Sequence, residues 1–191
     1  LEIRRSGMKS VLAETRERMQ RSLEAFEQNI GAVRTGRANP SILNRVHVDY
    51  YGTSMPLPQI ATITSPDPRT LVITPFDKSS LKAIEKAILE SELGFNPNNQ
   101  GDNVFISVPP LTDERRRDLV KTIHQMAEEA RVGVRNIRRD ANDKLKAMQK
   151  EGDLSEDDLR RAEAEVQKVT DEFIAKIDQR TKTKESDILA V

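Results

Sequence analysis

The stretch Arg131-Val-Gly-Val-Arg-Asn-Ile-Arg-Arg-Asp-Ala-Asn-Asp-Lys-Leu-Lys-Ala-Met148 decides how the chain is to be read. Wound as a helix at about 100° per residue, it sets Val134, Ile137, Ala141, Leu145 and Met148 on one side and Arg131, Arg135, Arg138, Asn142 and Lys146 on another. One face can pack while the other turns guanidinium groups outward. The planar fork of arginine matches phosphate in a two-point contact, so a row of arginines on a rigid helix is a candidate nucleic-acid surface. Charged residues can also be no more than the solvated face of a helix. Against that stands the scarcity of acids, with only Asp140 and Asp143 inside the stretch.

Outward from this stretch the same apolar series runs back through Ala130, Met126, Ile123 and Leu119. Thr112 is placed to cap its start, with Asp113 and Glu114 in the first turn, where negative charge suits the helix dipole. A helix from there to about Lys150 is a rod of roughly 55 to 60 Å. Glu151-Gly-Asp153 breaks it, and Ser155-Glu-Asp-Asp158 has the form of a capping box. A further helix follows with Leu159, Ala162, Val166, Val169, Phe173 and Ile177 at spacings of three and four. Near the other end of the chain, Met8, Leu12, Met19, Leu23, Phe26, Ile30 and Val33 make a heptad seam, with polar Thr15 filling one slot. Gly31 and Gly36 weaken the end of that helix and Pro40 is expected to stop it. Three long amphipathic helices cannot each stay solvated, and the economical solution is a three-helix bundle.

Between the first helix and the rod the period changes. Val46-His-Val-Asp-Tyr50, Ile60-Ala-Thr-Ile-Thr64, Thr70-Leu-Val-Ile-Thr74 and Val104-Phe-Ile-Ser-Val108 read as short strands, with a turn at Tyr51-Gly52. A brief helix carries Leu81, Ile84, Ala87 and Ile88, capped by Ser79 or Ser80 and stopped at Gly94, and Asn96-Pro-Asn-Asn-Gln-Gly101 reads as a loop. The expected architecture is therefore α+β: a long discontinuous bundle from residues 8–37 and 111–191, with a strand-rich domain of residues 38–110 inserted into it. The crossings near 37–40 and 108–111 have the form of a hinge, and their prolines predict limited swivelling about one axis. Met8 reads as a natural start, so residues 1–7 are expected to be an extension outside the fold.

Composition narrows the chemistry. Basic and acidic residues number 31 each, so whole-chain steering toward nucleic acid is weak and binding must come from local segregation of charge. The absence of cysteine removes disulfides, thiolate nucleophiles and cysteine metal sites, and fits a reducing cytoplasm. No apolar run approaches the roughly 20 residues that span a bilayer, and nothing resembles a signal peptide. His47 and His124 lack partners at motif spacing, and no glycine-rich phosphate loop is present. Met19, Met126 and Met148 sit on packing seams and read as core. No reaction centre, metal site or cofactor site emerges.

Four motifs add a resemblance. Arg34-Thr-Gly-Arg-Ala-Asn-Pro40, Tyr50-Tyr-Gly52, Pro109-Pro-Leu-Thr-Asp-Glu-Arg-Arg116 and Val134-Arg-Asn-Ile-Arg-Arg-Asp-Ala-Asn-Asp-Lys144 together resemble the bacterial ribosome recycling factors, in order, across essentially the whole chain after residue 7. The resemblance implies an L-shaped monomer with dimensions like a transfer RNA. It implies binding to the 50S subunit of the post-termination 70S ribosome, across the acceptor and peptidyl sites, through contact with 23S rRNA. It further implies cooperation with elongation factor G, whose GTP hydrolysis drives subunit separation and release of messenger RNA and deacylated tRNA. The protein itself would be no enzyme and hold no cofactor. The family's rRNA-binding arginines carry over to Arg135, Arg138 and Arg139, with Arg131 beside them and Lys146 on the same helix. The hinge carries Arg34, Arg37, Asn39, Pro40, Pro109 and Pro110. Two other readings stay open on the residues alone: a coiled-coil adaptor whose basic stripe meets an acidic protein, and a hydrolase built on Asp49 or Asp77.

Overall fold

The computed structural model describes residues 2–190, with side chains from residue 6. The chain forms two compact units, one built from three long helices and the other from residues Gly36–Thr112. The helices are α1 (Glu2–Gly31), α3 (Asp113–Lys150) and α4 (Glu156–Leu189). The inserted unit holds strands β1 (His47–Tyr50), β2 (Thr53–Pro56), β3 (Ala61–Asp67), β4 (Thr70–Pro75), β5 (Pro97–Asn99) and β6 (Val104–Ser107), and the helix α2 (Leu81–Glu90).

In the bundle, α3 buries Leu119, Ile123, Ala127, Val134, Ile137, Ala141 and Leu145 against Met19, Leu23, Phe26 and Ile30 of α1 and Ala162, Val166, Val169, Phe173 and Ile177 of α4. Each large apolar side chain taken out of water this way contributes about 1.5 to 3 kcal/mol, far more than helix propensity supplies. The helix directions follow from two sets of cross-links. Glu14 meets Lys144 while Arg18 meets Asp140, so α1 and α3 run antiparallel. His124 meets Glu185 and Arg131 meets Asp178, so α3 and α4 are antiparallel as well.

Polar residues occupy several seam positions. Thr15, Thr170 and Thr181 are buried, and each hydroxyl donates to the carbonyl four residues earlier, on Val11, Val166 and Ile177, at 2.7 Å. Bonded within their own helix, they enter the core without an orphaned donor. The continuation of α4 beyond Ile177 depends on this device, since the seam there runs through Thr181 and Lys184 to Ile188. Between α3 and α4 the amide of Asp153 donates to Met148 and that of Gly152 to Gln149, the Schellman pattern, with Gly152 at φ +79°. Buried Leu154 then joins the cluster with Ala141, Leu145, Ala162 and Val166. Ser155 caps α4 by accepting from the Asp158 amide at 3.1 Å.

The start and end of α1 differ from the sequence expectation. Leu1 lies outside the described residues, and residues 2–7, expected as an extension, continue the helix of α1. No glycine or proline pair interrupts them, and Gly7 lies so close to Met148 that an added Cβ would stand 2.9 Å from its terminal methyl. The helix ends at Gly31, well before Pro40, which instead opens a 3-10 turn (Pro40–Arg45) where Asn39 accepts from the Ser41 amide.

In the inserted unit β3, β4, β6 and β5 form an antiparallel four-stranded sheet in the order β3-β4-β6-β5, and β1 pairs with β2 in a separate hairpin. Leu81, Ile84 and Ile88 of α2 join Val48, Leu71, Ile73, Val104 and Ile106 in one buried cluster. Two strands have no counterpart in the sequence reading. β2 lacks an apolar alternation, and β5 is a short edge strand whose leading Pro97 masks it as loop. The cap of α2 also differs. Asp77 accepts from the amide and hydroxyl of Ser79, and Ser80 turns its hydroxyl to the Asp77 carbonyl, so neither serine caps the helix. The helix stops at Glu90, ahead of Gly94.

Lys184 is the one buried cation among the described residues. Burial and the neighbouring Arg180 push its pKa below the ordinary 10.5, opposed by Asp187, and its ammonium reaches the Gly31 carbonyl at only 3.4 Å. The folded state thus binds this proton less tightly than the unfolded chain does. The charge costs stability below the folded pKa, and the cost disappears as pH rises toward 10.5. Lys184→Met is expected to raise the melting temperature at neutral pH by about 3 °C. That gain should shrink as the pH climbs toward the ordinary lysine value. A melting temperature at pH 7 that falls on substitution would mean that the bond to Gly31 outweighs burial.

Candidate nucleic-acid interface

Along α3 the buried stripe leaves the opposite half of the surface for charge. Among the described residues of the 131–148 stretch, the basic residues differ in how far they are already paired. Arg131 is bonded to two carboxylates: its Nε donates to Asp178 Oδ1 at 2.7 Å and its Nη1 to Glu128 Oε2 at 3.0 Å. Its side chain is 22 % exposed. Burial alone would lower its pKa, but the bonds and charges of Asp178 and Glu128 overcome that and hold it above its ordinary value. Arg131 therefore ties α3 to α4.

Arg135 and Arg138 keep more freedom. The Nη1 of Arg135 stands 3.6 Å from Glu128 Oε1, an ion pair at the edge of contact, with 42 % of its side chain exposed. Arg138 donates to Gln167 Oε1 at 3.3 Å, and Gln167 is itself anchored by donating to Asp171. Arg138 faces α4, and both guanidinium groups keep donors to spare. Arg139 and Lys146 are exposed and have no partner among the described residues. Asn142 is half-buried and its Oδ1 is enclosed without a hydrogen-bond partner.

The acids distribute differently from the sequence window. Asp140, one of the two acids inside the stretch, is drawn away by Arg18 of α1 at 3.1 Å, while Lys144 pairs with Glu14. Glu128 and Asp178 enter from outside the stretch and neutralise part of the arginine row. Glu128 lies one turn before Arg131 and could be read from the spacing. Asp178 and Gln167 lie on α4, and only the pairing of the helices brings them in.

The crossings between the units are held from within the inserted unit. The Ala38 amide donates to the Pro68 carbonyl at 2.6 Å and the Val108 amide to the adjacent Arg69 carbonyl at 2.7 Å, so both chain segments are pinned to one turn between β3 and β4. Gly36, at φ +74°, lies against Leu111, whose Cγ would be 2.9 Å from an added Cβ. A side chain at position 36 is thus opposed by both backbone and space. Arg37, Asn39, Pro109 and Pro110 are exposed and Pro40 half-buried; Arg34 is exposed and makes an interaction of its own.

The remaining candidates are occupied structurally. Asp49 accepts from the Gly52 amide in the β1–β2 turn, and Asp77 accepts from the Tyr51 hydroxyl at 2.7 Å besides Ser79. The bond from Tyr51, with those from Ser79, holds the Asp77 pKa below the ordinary carboxylate value, which suits an ionised cap rather than a proton donor. His47 contacts the Arg45 carbonyl and His124 contacts Glu185. No group of metal-ligating side chains occurs among the described residues, and no helix is long and apolar enough to cross a membrane.

Comparison with known proteins converges on one family. The family model described as ribosome recycling factor matches residues 26–189. The ribosome-recycling factor of Thermus thermophilus is 59% identical over 182 residues, covering 95% of this chain and 98% of the relative. That of Bacillus subtilis is 50% identical over 183 residues, covering 96% and 99%. A solution structure of the ribosome recycling factor, 38% identical, superposes with a TM-score of 0.80 over 96% of this chain and 98% of that one. A second solved structure is 59% identical with a TM-score of 0.66, covering 96% and 99%. It is described as models for the T. thermophilus ribosome recycling factor and the E. coli elongation factor G bound to the E. coli post-termination complex. With its three long helices, its inserted sheet unit and this likeness along nearly its whole length, the chain belongs to the ribosome recycling factor family.

Proposed function

We propose that this protein recycles ribosomes after termination. It binds the large subunit of the post-termination ribosome across the acceptor and peptidyl sites. With elongation factor G and GTP, it then promotes subunit dissociation and release of messenger RNA and deacylated tRNA. The observation that carries this reading is the near full-length likeness, at 59% identity, to the recycling factor whose structure is described together with elongation factor G on the post-termination complex. The protein acts by binding, not by catalysis; nucleotide hydrolysis belongs to the partner factor.

The bundle supplies the grip. Arg135, Arg138 and Arg139, with Lys146 two to three turns further along, are the side chains on α3 that meet rRNA phosphates, because their donors are free or weakly held. Arg131 serves as the strut behind them, fixing α3 to α4. Phosphate contacts give affinity and register, while the shape of an RNA cavity gives selectivity. The joint lies at the crossings, with Arg34, Arg37, Asn39, Pro40, Pro109 and Pro110 around it. Pinning of Ala38 and Val108 confines bending to the few residues beyond them. A motor factor that pushes on the inserted unit then moves it as one piece.

Arg138→Ala is expected to weaken binding to purified large subunits by about tenfold while leaving the melting temperature unchanged, since one charge-assisted contact is lost and Gln167 stays bonded to Asp171. Equal affinity of the two proteins would remove Arg138 from the interface. Despite zero net charge, binding should fall with added salt, with a log–log slope of about −3 for three or four phosphate contacts. A flat salt response would instead favour contact with ribosomal protein surfaces. In a polysome-breakdown assay with elongation factor G and GTP, the Arg135→Ala/Arg138→Ala double variant should lose most activity. Retention of wild-type breakdown would overturn the proposed grip.

A further inference from the structure

Glu128 of α3 reaches two arginines at once. Its Oε2 accepts from Arg131 at 3.0 Å and its Oε1 stands 3.6 Å from Arg135. Arg131 is held independently by Asp178 at 2.7 Å, so the array runs Asp178, Arg131, Glu128, Arg135 across the face. The two oxygens of Glu128 thus bridge Arg131 and Arg135, a two-point contact of the kind that phosphate also makes with arginine. Glu128 remains 58 % exposed, so this internal anion can be displaced.

We infer that Glu128 is an internal phosphate mimic that occupies Arg135 in the free protein and sets a threshold on RNA binding. This rests on the proposed contact of the α3 arginines with rRNA phosphates. A phosphate that takes the Nη1 of Arg135 displaces Glu128 from it, and an exposed ion pair imposes only a small, constant penalty. A constant penalty leaves the ratio of affinities unchanged. It nevertheless takes weak, generic RNA sites out of saturation, while a site making many contacts remains filled. A factor that must find terminated ribosomes among abundant cellular RNA gains from that arrangement. Arg131 stays in place when Glu128 swings away, because Asp178 still holds it.

The test uses the full chain and, as probe, an RNA duplex of sequence unrelated to rRNA, at one fixed low salt. Glu128→Gln should bind this duplex about threefold more tightly than wild type, the size expected for release of an exposed pair. Glu129→Gln is the control: Glu129 is exposed on the same helix and unpartnered among the described residues, so its loss changes net charge equally without freeing an arginine. The gain from Glu128→Gln should exceed that from Glu129→Gln and disappear in an Arg135→Ala background. Equal gains from the two substitutions, or a gain that persists without Arg135, would overturn the inference. Large-subunit binding by Arg135→Ala is measured beside it. No loss there would refute the rRNA contact of Arg135, while the duplex comparison still decides the role of Glu128.

Discussion

Burial of the apolar stripe of α3 is the constraint on which the rest of the molecule depends. A helix of 38 residues is about 57 Å long, and its seam from Leu119 to Leu145 cannot remain in water. Two further helices are needed to cover it, and their separation in the chain forces the strand unit into the position of an insert. Once the stripe is covered on one side, whatever charge α3 carries must face elsewhere. The basic surface is thus a by-product of core packing, held straight by a rod whose own stability comes from that core.

The ion pairs around this rod are individually weak, as exposed pairs are, and their main effect is to choose among arrangements. Glu14 with Lys144 and Arg18 with Asp140 set one helix pair, and Arg131 with Asp178 sets the other. The same pairs decide which charges remain for a partner. Arg131 is taken up by structure, whereas Arg139 and Lys146 are untouched among the described residues. The carboxylates of Glu128 and Asp178, set among these arginines, offset part of their mutual repulsion.

The inserted unit shows a comparable economy. Its two exits are bonded to consecutive carbonyls, those of Pro68 and Arg69, so one β-turn secures both ends of the insertion. Asp77 joins three elements by accepting from the Tyr51 hydroxyl and from Ser79 ahead of α2. Tyr51 adopts φ +50° to make the two-residue turn of the β1–β2 hairpin, a strained geometry for a bulky residue, and its hydroxyl bonds help hold it there.

Periodicity by itself determined the α+β class, the three long helices, the central strands and the placement of a basic row opposite an apolar seam. Those follow from where side chains fall on a helix or strand, which is a local matter. Four long motifs also carried the family likeness. Other features depended on residues far apart in the chain. The continuation of α4 through Thr181 and Lys184 looks polar until neighbouring helices bury it, and β5 looks like loop until β6 pairs with it. The basic row shows this most clearly. Counted locally, Arg131, Arg135, Arg138 and Arg139 are alike. Only the packing of α4, which brings Asp178 from 47 residues away and Gln167 from 29, distinguishes a half-buried strut from more weakly held donors. Charge pairing acts through space and not along the sequence, so only the tertiary structure decided which arginines remain available.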